Sequence, residues 1–288
     1  MTSAALPRAA STPSPEGDAF ARDFAEKGYA IIDMSGDAAV IALCDGAIAD
    51  VSADAAAGYN RVQDVWRRSA AVRTLAGLPR VTDALAALHG RAPFPFQTLN
   101  FHRGSQQAPH ADTLHFDSAP TGFMCGVWLA LEDVHPDAGP LIYYPGSHKL
   151  PVLTFQDIGA EDNAPRLRAY PDLYEPAIAQ RIAQQGFASE TALLRKGQAL
   201  VWASNLIHGG ASVTDAARTR RSLVTHYYFD DCDYFTWTTS KARPRRRRLP
   251  SDVRTGRFVW PRGGAPDWRQ AAFETISRAT ARVHRFVS

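Results

Sequence analysis

His110-Ala111-Asp112 sets an imidazole and a carboxylate two residues apart. Side chains on extended chain alternate with period two, so both point the same way and can grip one face of a metal ion. A third ligand must come from elsewhere. The best candidate is His208, in the segment LVWASNLIHGGAS. Two His and one carboxylate make the facial set of non-haem Fe(II) oxygenases, which leaves coordination positions open for co-substrate and oxygen.

Other residues compete for these roles. A second His-x-Asp, His115-Phe116-Asp117, follows five residues after the first and offers the same pair. His148 in PGSHK reads as a turn residue, and His135 sits beside a turn and is expected to be exposed. His226 reads either as a satisfied core histidine or as a pocket residue. A strand over Thr219–Phe229 would point Arg220, Ser222, Val224, His226 and Tyr228 to one side. That is a polar, binding-type face in an otherwise apolar run, and buried polar groups need partners. The planar guanidinium of Arg suits a carboxylate, which it meets with two hydrogen bonds. Arg221 would replace Arg220 if the register slipped by one, since a slip flips every side chain. The alternation of Ser222 with Arg220 favours Arg220.

The elements that must hold these residues change character along the chain. Residues 1–17 are rich in Ala, Ser, Thr and Pro and are expected to be a disordered tail. Phe20, Phe24 and Ala25 lie on one helical face, with Gly28 as C-cap, and Tyr29–Ile32 reads as a short strand. Helices are expected within 37–58, 66–77 and 81–89, so 18–92 forms a helical support. Between 93 and 235 short β-rich runs alternate with turns: PFQTLNF, CGVWLALEDV, PLIYYPG, QALVWA and RSLVTHYYF. Such punctuation indicates a mainly β barrel or sandwich with flanking helices. Residues 151–192, with a helix near 176–186, break the pattern and read as a lid-like insertion. The run Arg245–Arg248 reads as a solvated loop and is only weak support for an acidic substrate. A C-terminal loop and a closing amphipathic helix over 266–287 complete a single domain over 18–288.

Composition excludes several classes. Hydrophobic residues make up 45% and charged residues 21%, the proportions of a globular protein. The net charge of +3 gives no argument for nucleic acid as a partner. Cys44, Cys125 and Cys232 are odd in number and far apart, which fits neither a disulfide framework nor a zinc site. No apolar run reaches the length of a membrane span, and the first residues lack the core of a signal peptide. A cytoplasmic protein with no membrane association is expected.

The ordered segments HADTLHF, GVWLALEDV, DAGPL, YYPGSHK, LIHGG and TRRSLVTHYYF together resemble the phytanoyl-CoA dioxygenase family. Its members are Fe(II)/2-oxoglutarate oxygenases and include the ectoine hydroxylases. The likeness covers about residues 95–230 and implies a double-stranded β-helix, or jelly-roll, cupin-like core. It implies His110, Asp112 and His208 as iron ligands, and its spacing to Trp128 and Asn100 favours His110/Asp112 over the second pair. It makes Arg220 the anchor of the far carboxylate of 2-oxoglutarate, with Ser222 assisting. Trp128 falls beside the co-substrate, and Asn100, with Thr98 on its face, matches a co-substrate contact of the ectoine hydroxylases.

The activity so implied is hydroxylation of an unactivated C–H of a small molecule by O2, with release of succinate and CO2. A substrate from secondary metabolism is expected, and a fatty acyl-CoA is the other possibility. The retained Asp112 argues against halogenation, because related halogenases lack that carboxylate. Desaturation and ring formation stay open. Tyr143, Tyr170, Tyr174, Tyr234 and Trp237 are candidates for aromatic pocket walls. The rival readings are a metal-dependent cupin that does not use 2-oxoglutarate, and a silent barrel that only binds a small molecule.

Overall fold

A computed structural model describes residues 15–262. The helical support comprises α1 (Pro15–Lys27), α2 (Ala38–Asp50), α3 (Ser52–Ala56), α4 (Ala70–Ala76) and α5 (Pro79–His89). Strands β1 (Tyr29–Asp33) and β2 (Arg61–Gln63) are threaded between them. Local chemistry fixes the helix ends. The Asp37 carboxylate accepts from the N–H groups of Ala39 and Val40, and the Ser69 hydroxyl accepts from that of Val72. Pro79 opens α5, and Gly90, with φ +64°, closes it in the left-handed conformation. Because α1 begins at Pro15, the last three residues of the expected tail are helical instead. Residues 1–14 and the expected closing helix over 266–287 lie outside the described residues.

The β-rich part follows as β3 (Pro93–Phe101), β4 (Asp117–Ala119), β5 (Met124–Ala130) and β6 (Leu141–Tyr143). Helices α6 (Arg166–Ala169) and α7 (Glu175–Gln185), joined by a π-helical turn over Tyr170–Tyr174, occupy the insertion. Then come β7 (Glu190–Thr191), β8 (Gln198–Ala203), β9 (His208–Gly210), β10 (Ser222–Phe229), β11 (Asp233–Trp237) and β12 (Arg245–Arg247). Two expectations need correction. Glu190–Thr191, placed within the insertion, pairs with β6 as part of a sheet. The run Arg245–Arg248, read as a loop, supplies an edge strand, because β12 pairs with β11.

Strand order is β1-β8-β5-β10-β3-β2 in the large sheet, β12-β11-β4 and β7-β6-β9 in the two small ones. All the pairings are antiparallel. This is the jelly-roll arrangement, mainly β with helices on one face. No helix among the described residues is long and apolar enough to cross a membrane.

Period two sorts the large sheet into two faces. Cys125, Val127, Leu129, Ala199, Val201, Leu223, Tyr227 and Phe229 join Val72, Leu75, Val81 and Leu85 in a core against the helices. The alternate positions Trp128, Ala130, Leu200, Trp202 and Val224 form an interior core with Leu141 and Tyr143 of a small sheet. A second interior cluster gathers Phe94, Phe96, Met124, Tyr228 and Tyr234. A fourth core belongs to the insertion, where Phe155, Tyr174 and Ile178 pack on Leu114 and Ile207. The three cysteines are buried free thiols.

Gly126 is paired with Trp202 across β5 and β8. A Cβ built there would collide with the indole carbons of Trp202. Only glycine lets the ring lie on the strand. Gly126→Ala is therefore expected to destabilise the protein by ~1–3 kcal/mol through overpacking. Urea denaturation checks this, and an unchanged midpoint would mean that the indole is not pinned.

Candidate metal centre

Between the two interior clusters lies a polar layer. His110, Asp112 and His208 are buried, and each offers a ligand atom, all within 4.8 Å of one another. Backbone pairing builds the cluster. The His110 N–H donates to the His208 carbonyl and the His208 N–H to that of His110, each at 2.9 Å. The rings then stand 4.5 Å apart, centroid to centroid. Ala111 is extended, but Asp112 already begins a short 3-10 turn over Asp112–Leu114. The expected two-residue alternation thus ends at the carboxylate itself.

Second contacts fix which atoms face the centre. His110 Nδ1 lies 3.0 Å from the Ala108 carbonyl, and His208 Nδ1 lies 3.0 Å from that of Leu206. A carbonyl only accepts, so each Nδ1 carries a proton and each Nε2 is the nitrogen that faces the centre. Both Nε2 atoms turn to Asp112 Oδ1, at 3.8 and 3.9 Å. The other carboxylate oxygen is taken: Trp202 Nε1 donates to Oδ2 at 2.8 Å, and His226 Nε2 lies 3.4 Å from it. The Tyr174 hydroxyl accepts from the Ala111 N–H at 3.2 Å, so the insertion grips the ligand loop.

Burial pushes the Asp112 carboxyl up, but His208, His226 and His110 outweigh it and hold the acid well below the usual range. Burial, with His208 alongside, lowers His110 to about 4 and keeps it neutral. A carboxylate with two imidazoles is the donor chemistry of a divalent first-row metal. The donor set fits iron.

Arg220 lies just before β10, buried with Ser222 and Trp128. Its Nη1 donates to Ser222 Oγ at 3.2 Å and its Nη2 to the Arg103 carbonyl at 3.3 Å. Its Cζ sits 5.4 Å from the centre of the Trp128 ring. Burial lowers its pKa to about 10, so the side chain stays cationic at neutral pH. Arg220 Nε and Trp128 Nε1 are both buried without a hydrogen-bond partner. Two unpaired donors, one of them cationic, suit an acidic ligand. Arg221 turns the other way, to Glu132, at 3.2 Å.

Thr98 and Asn100 do not join this group. The register pairs Thr98 with Thr225 and Asn100 with Leu223, and Leu223 belongs to the core against the helices. Directly paired residues share a face, so both point away from Arg220, Ser222 and Trp128. Gln97 and Leu99 face the interior instead, opposite His226 and Val224. The second His-x-Asp is engaged elsewhere. His115 Nδ1 accepts from Arg166 Nη2 at 2.7 Å, and Asp117 Oδ2 accepts from Trp237 Nε1 at 2.9 Å. Burial raises Asp117 to about 6, while Ser118 and Trp237 oppose the shift. His148 lies 3.2 Å from the Ala25 carbonyl, and His135, expected to be exposed, is half-buried beside Asp137.

Sequence reasoning missed Trp202 and Gln107. Trp202 stands four positions before Leu206 in an apolar strand, where an aromatic reads as core. Gln107 Nε2 lies 3.3 Å from His110 Nε2, so its amide reaches the centre. The sequence signal was its place three residues before His110.

Residues 24–222, more than half of the chain, match the phytanoyl-CoA dioxygenase (PhyH) family. Among curated proteins, the mouse phytanoyl-CoA dioxygenase domain-containing protein 1 is 30% identical over 80 residues, 26% of this chain and 28% of that protein. The bovine protein is 43% identical over 47 residues, 16% of each. The matched stretch therefore spans under a third of these relatives. Among solved structures, the epimerase SnoN with Fe3+, α-ketoglutarate and nogalamycin RO has a TM-score of 0.63 at 20% identity, covering 85% of this chain and 98% of that one. EctD from S. alaskensis with 2-oxoglutarate and 5-hydroxyectoine has a TM-score of 0.58 at 18% identity, covering 88% and 91%. These likenesses show the same fold. With the family match and the buried His-Asp-His cluster, the chain belongs to the phytanoyl-CoA dioxygenase family of non-haem Fe(II)/2-oxoglutarate-dependent enzymes.

Proposed function

We propose that this protein hydroxylates an unactivated C–H bond of a small molecule, using O2 and 2-oxoglutarate and releasing succinate and CO2. The observation that carries the reading is the meeting, inside one barrel, of a buried His-Asp-His cluster and a buried arginine whose Nε has no partner. We assign His110 Nε2, Asp112 Oδ1 and His208 Nε2 as ligands of Fe(II). Arg220 is assigned to the far carboxylate of 2-oxoglutarate, with Ser222 and Trp128 beside it. A substrate from secondary metabolism is supported by neighbours described as enzymes of nogalamycin biosynthesis.

When bound, Fe(II) and 2-oxoglutarate together supply the activation of O2 that breaks the C–H bond. The chain supplies orientation and dryness. Trp202 and His226 hold Oδ2 of Asp112, which turns Oδ1 to the metal side. Ser222 and the Arg103 carbonyl accept from Arg220 and hold the guanidinium plane still. Trp128 walls the same space and offers its indole N–H. The apolar clusters on either side keep water from the reacting carbon.

Anaerobic addition of Fe(II) and then 2-oxoglutarate to metal-free protein is expected to give a weak visible charge-transfer band only when both are present. Asp112→Ala is expected to abolish the band and turnover while far-UV circular dichroism stays unchanged. Iron binding without a band would favour a cupin that does not use 2-oxoglutarate. No iron binding would favour a silent barrel.

Arg220→Ala is expected to raise the KM for 2-oxoglutarate by at least about 30-fold, since losing a buried charged contact costs ~2 kcal/mol or more. Arg221→Ala, which breaks only the pair with Glu132, is expected to change it by less than about threefold. Steady-state kinetics with varied 2-oxoglutarate decide, and the reverse order would reject the assignment of Arg220.

A further inference from the structure

Three arginines from two separate segments converge beside the metal cluster. Arg166 opens α6 in the insertion. Its guanidinium donates to Thr236 Oγ1 at 3.1 Å, the Trp237 carbonyl at 3.0 Å, the Leu114 carbonyl at 3.4 Å and His115 Nδ1 at 2.7 Å. Every one of these acceptors is neutral. The other two arginines come from the β12 edge, which alternates like any strand. Arg245 lies over the rings of Phe235 and Trp237, at 4.6 and 4.7 Å, and Arg247 pairs with Asp233 at 2.6 Å. Arg246 takes the opposite face, in register with Thr236, the residue that Arg166 grips. Arg248 extends that face. Its backbone N–H bonds the Tyr234 carbonyl at 2.7 Å, its Cζ stands 4.8 Å from the centre of the Phe116 ring, and its Nε is buried without a partner.

Both approaches end one ring from the metal ligands. The His115 ring, held by Arg166, is 6.3 Å from that of His110. The Phe116 ring, beneath Arg248, is 5.1 Å from that of His226, which touches Asp112. Among the described residues no carboxylate pairs with Arg166, Arg246 or Arg248 within 4 Å, whereas Arg247, Arg254 and Arg262 each have one. Burial and the charges of Arg246 and Arg248 lower Arg166 to about 10, which leaves it charged at neutral pH. Uncompensated like charges repel, and a partly buried guanidinium is expensive to leave without a counter-ion. A solvated basic strand would keep its side chains in water. Arg248 Nε and Arg166 are turned inward instead.

We propose that Arg166, Arg246 and Arg248 form an oxyanion subsite, and that the primary substrate carries a carboxylate or phosphate that docks there. The carbon to be oxidised then extends toward His110, Asp112 and His208. This subsite rests on the metal reading above. It is separate from Arg220, which lies just before β10 and donates to Ser222. His115 belongs to the subsite as a positioning residue: its Nδ1 accepts from Arg166, so the neutral ring carries its proton on Nε2.

The test uses the full chain loaded anaerobically with Fe(II) and 2-oxoglutarate. Inorganic phosphate and, separately, benzoate are titrated by calorimetry while the charge-transfer band is monitored. Saturable binding of at least one anion is expected, with the band retained. Phosphate alone would assign a phosphorylated substrate, and benzoate alone a carboxylic acid. Arg166→Gln and Arg248→Gln are expected to weaken that binding at least tenfold and to leave the band intact. Arg246→Gln, at an exposed position, separates loss of the anion from loss of folding and is expected to weaken binding severalfold. No saturable binding to the loaded wild type, or equal binding to all variants, would overturn the subsite. Loss of the band in the arginine variants would assign these residues to 2-oxoglutarate and overturn it too. Absence of the band from the wild type would overturn the metal reading itself, and the subsite with it.

Discussion

Everything near the centre depends on keeping one carboxylate charged away from water. Asp112 is 4% exposed, and burial alone would favour its neutral form. Three histidines and an indole N–H reverse that preference. The arrangement divides labour between the two oxygens. Oδ2 is bound by Trp202 and His226, which leaves Oδ1 as the oxygen that both His Nε2 atoms approach. A buried anion held this way is stable only while its partners stay in place, so the constraint spreads outward. Trp202 needs Gly126 beneath it. His226 needs β10, the strand that also aligns Ser222. Tyr174 ties the insertion to the backbone of Ala111.

The large sheet makes these requirements compatible. One face gives the helices their apolar floor, and the other is split into two apolar layers with the polar layer between them. The polar groups in that layer are not a packing defect. Arg220 and Trp128 each retain a buried N–H donor with no protein partner. Native cores pair nearly all such groups, so the meeting of these two on the interior face suits a ligand that supplies the missing acceptors.

Much of this was legible in the sequence, for identifiable reasons. His110-Ala111-Asp112 and His208 are metal-type residues in β-rich context, and the alternation of Arg220 with Ser222 separated Arg220 from Arg221. Thr98 and Asn100 were placed by the family resemblance, and the register of β3 sets both on the helix side of the sheet. Opposite β10, strand β3 contains a bulge between the partners of His226 and Tyr227. The even-numbered Phe94 and Phe96 face the interior, so uninterrupted alternation would place Thr98 and Asn100 there as well. The extra residue shifts the parity, and Gln97, Leu99 and Phe101 take the interior face. Both faces of β3 are largely buried, so hydrophobic alternation gave no warning. Strand β12 was missed for the opposite reason: three consecutive arginines on an edge carry no apolar pattern.

The same contrast separates what the barrel fixes from what it leaves open. In the candidate centre, His208 opens β9 and Arg220 stands just before β10, while His110 is tied to His208 by backbone pairing and Asp112 begins the turn that follows. Arg166, Tyr170 and Tyr174 come from an insertion with its own small core, and Arg246 and Arg248 from an edge strand and the residue after it. The π-helical turn over Tyr170–Tyr174 turns the Tyr174 hydroxyl to Ala111 and brings the Tyr170 ring to 5.2 Å from His115. Such turns recur at functional sites because an extra residue in a helix re-aims the side chains around it. On the proposed reading, substrate selection lies with segments whose geometry depends on the insertion's own packing, and those are the segments for which spacing along the sequence is the weakest guide.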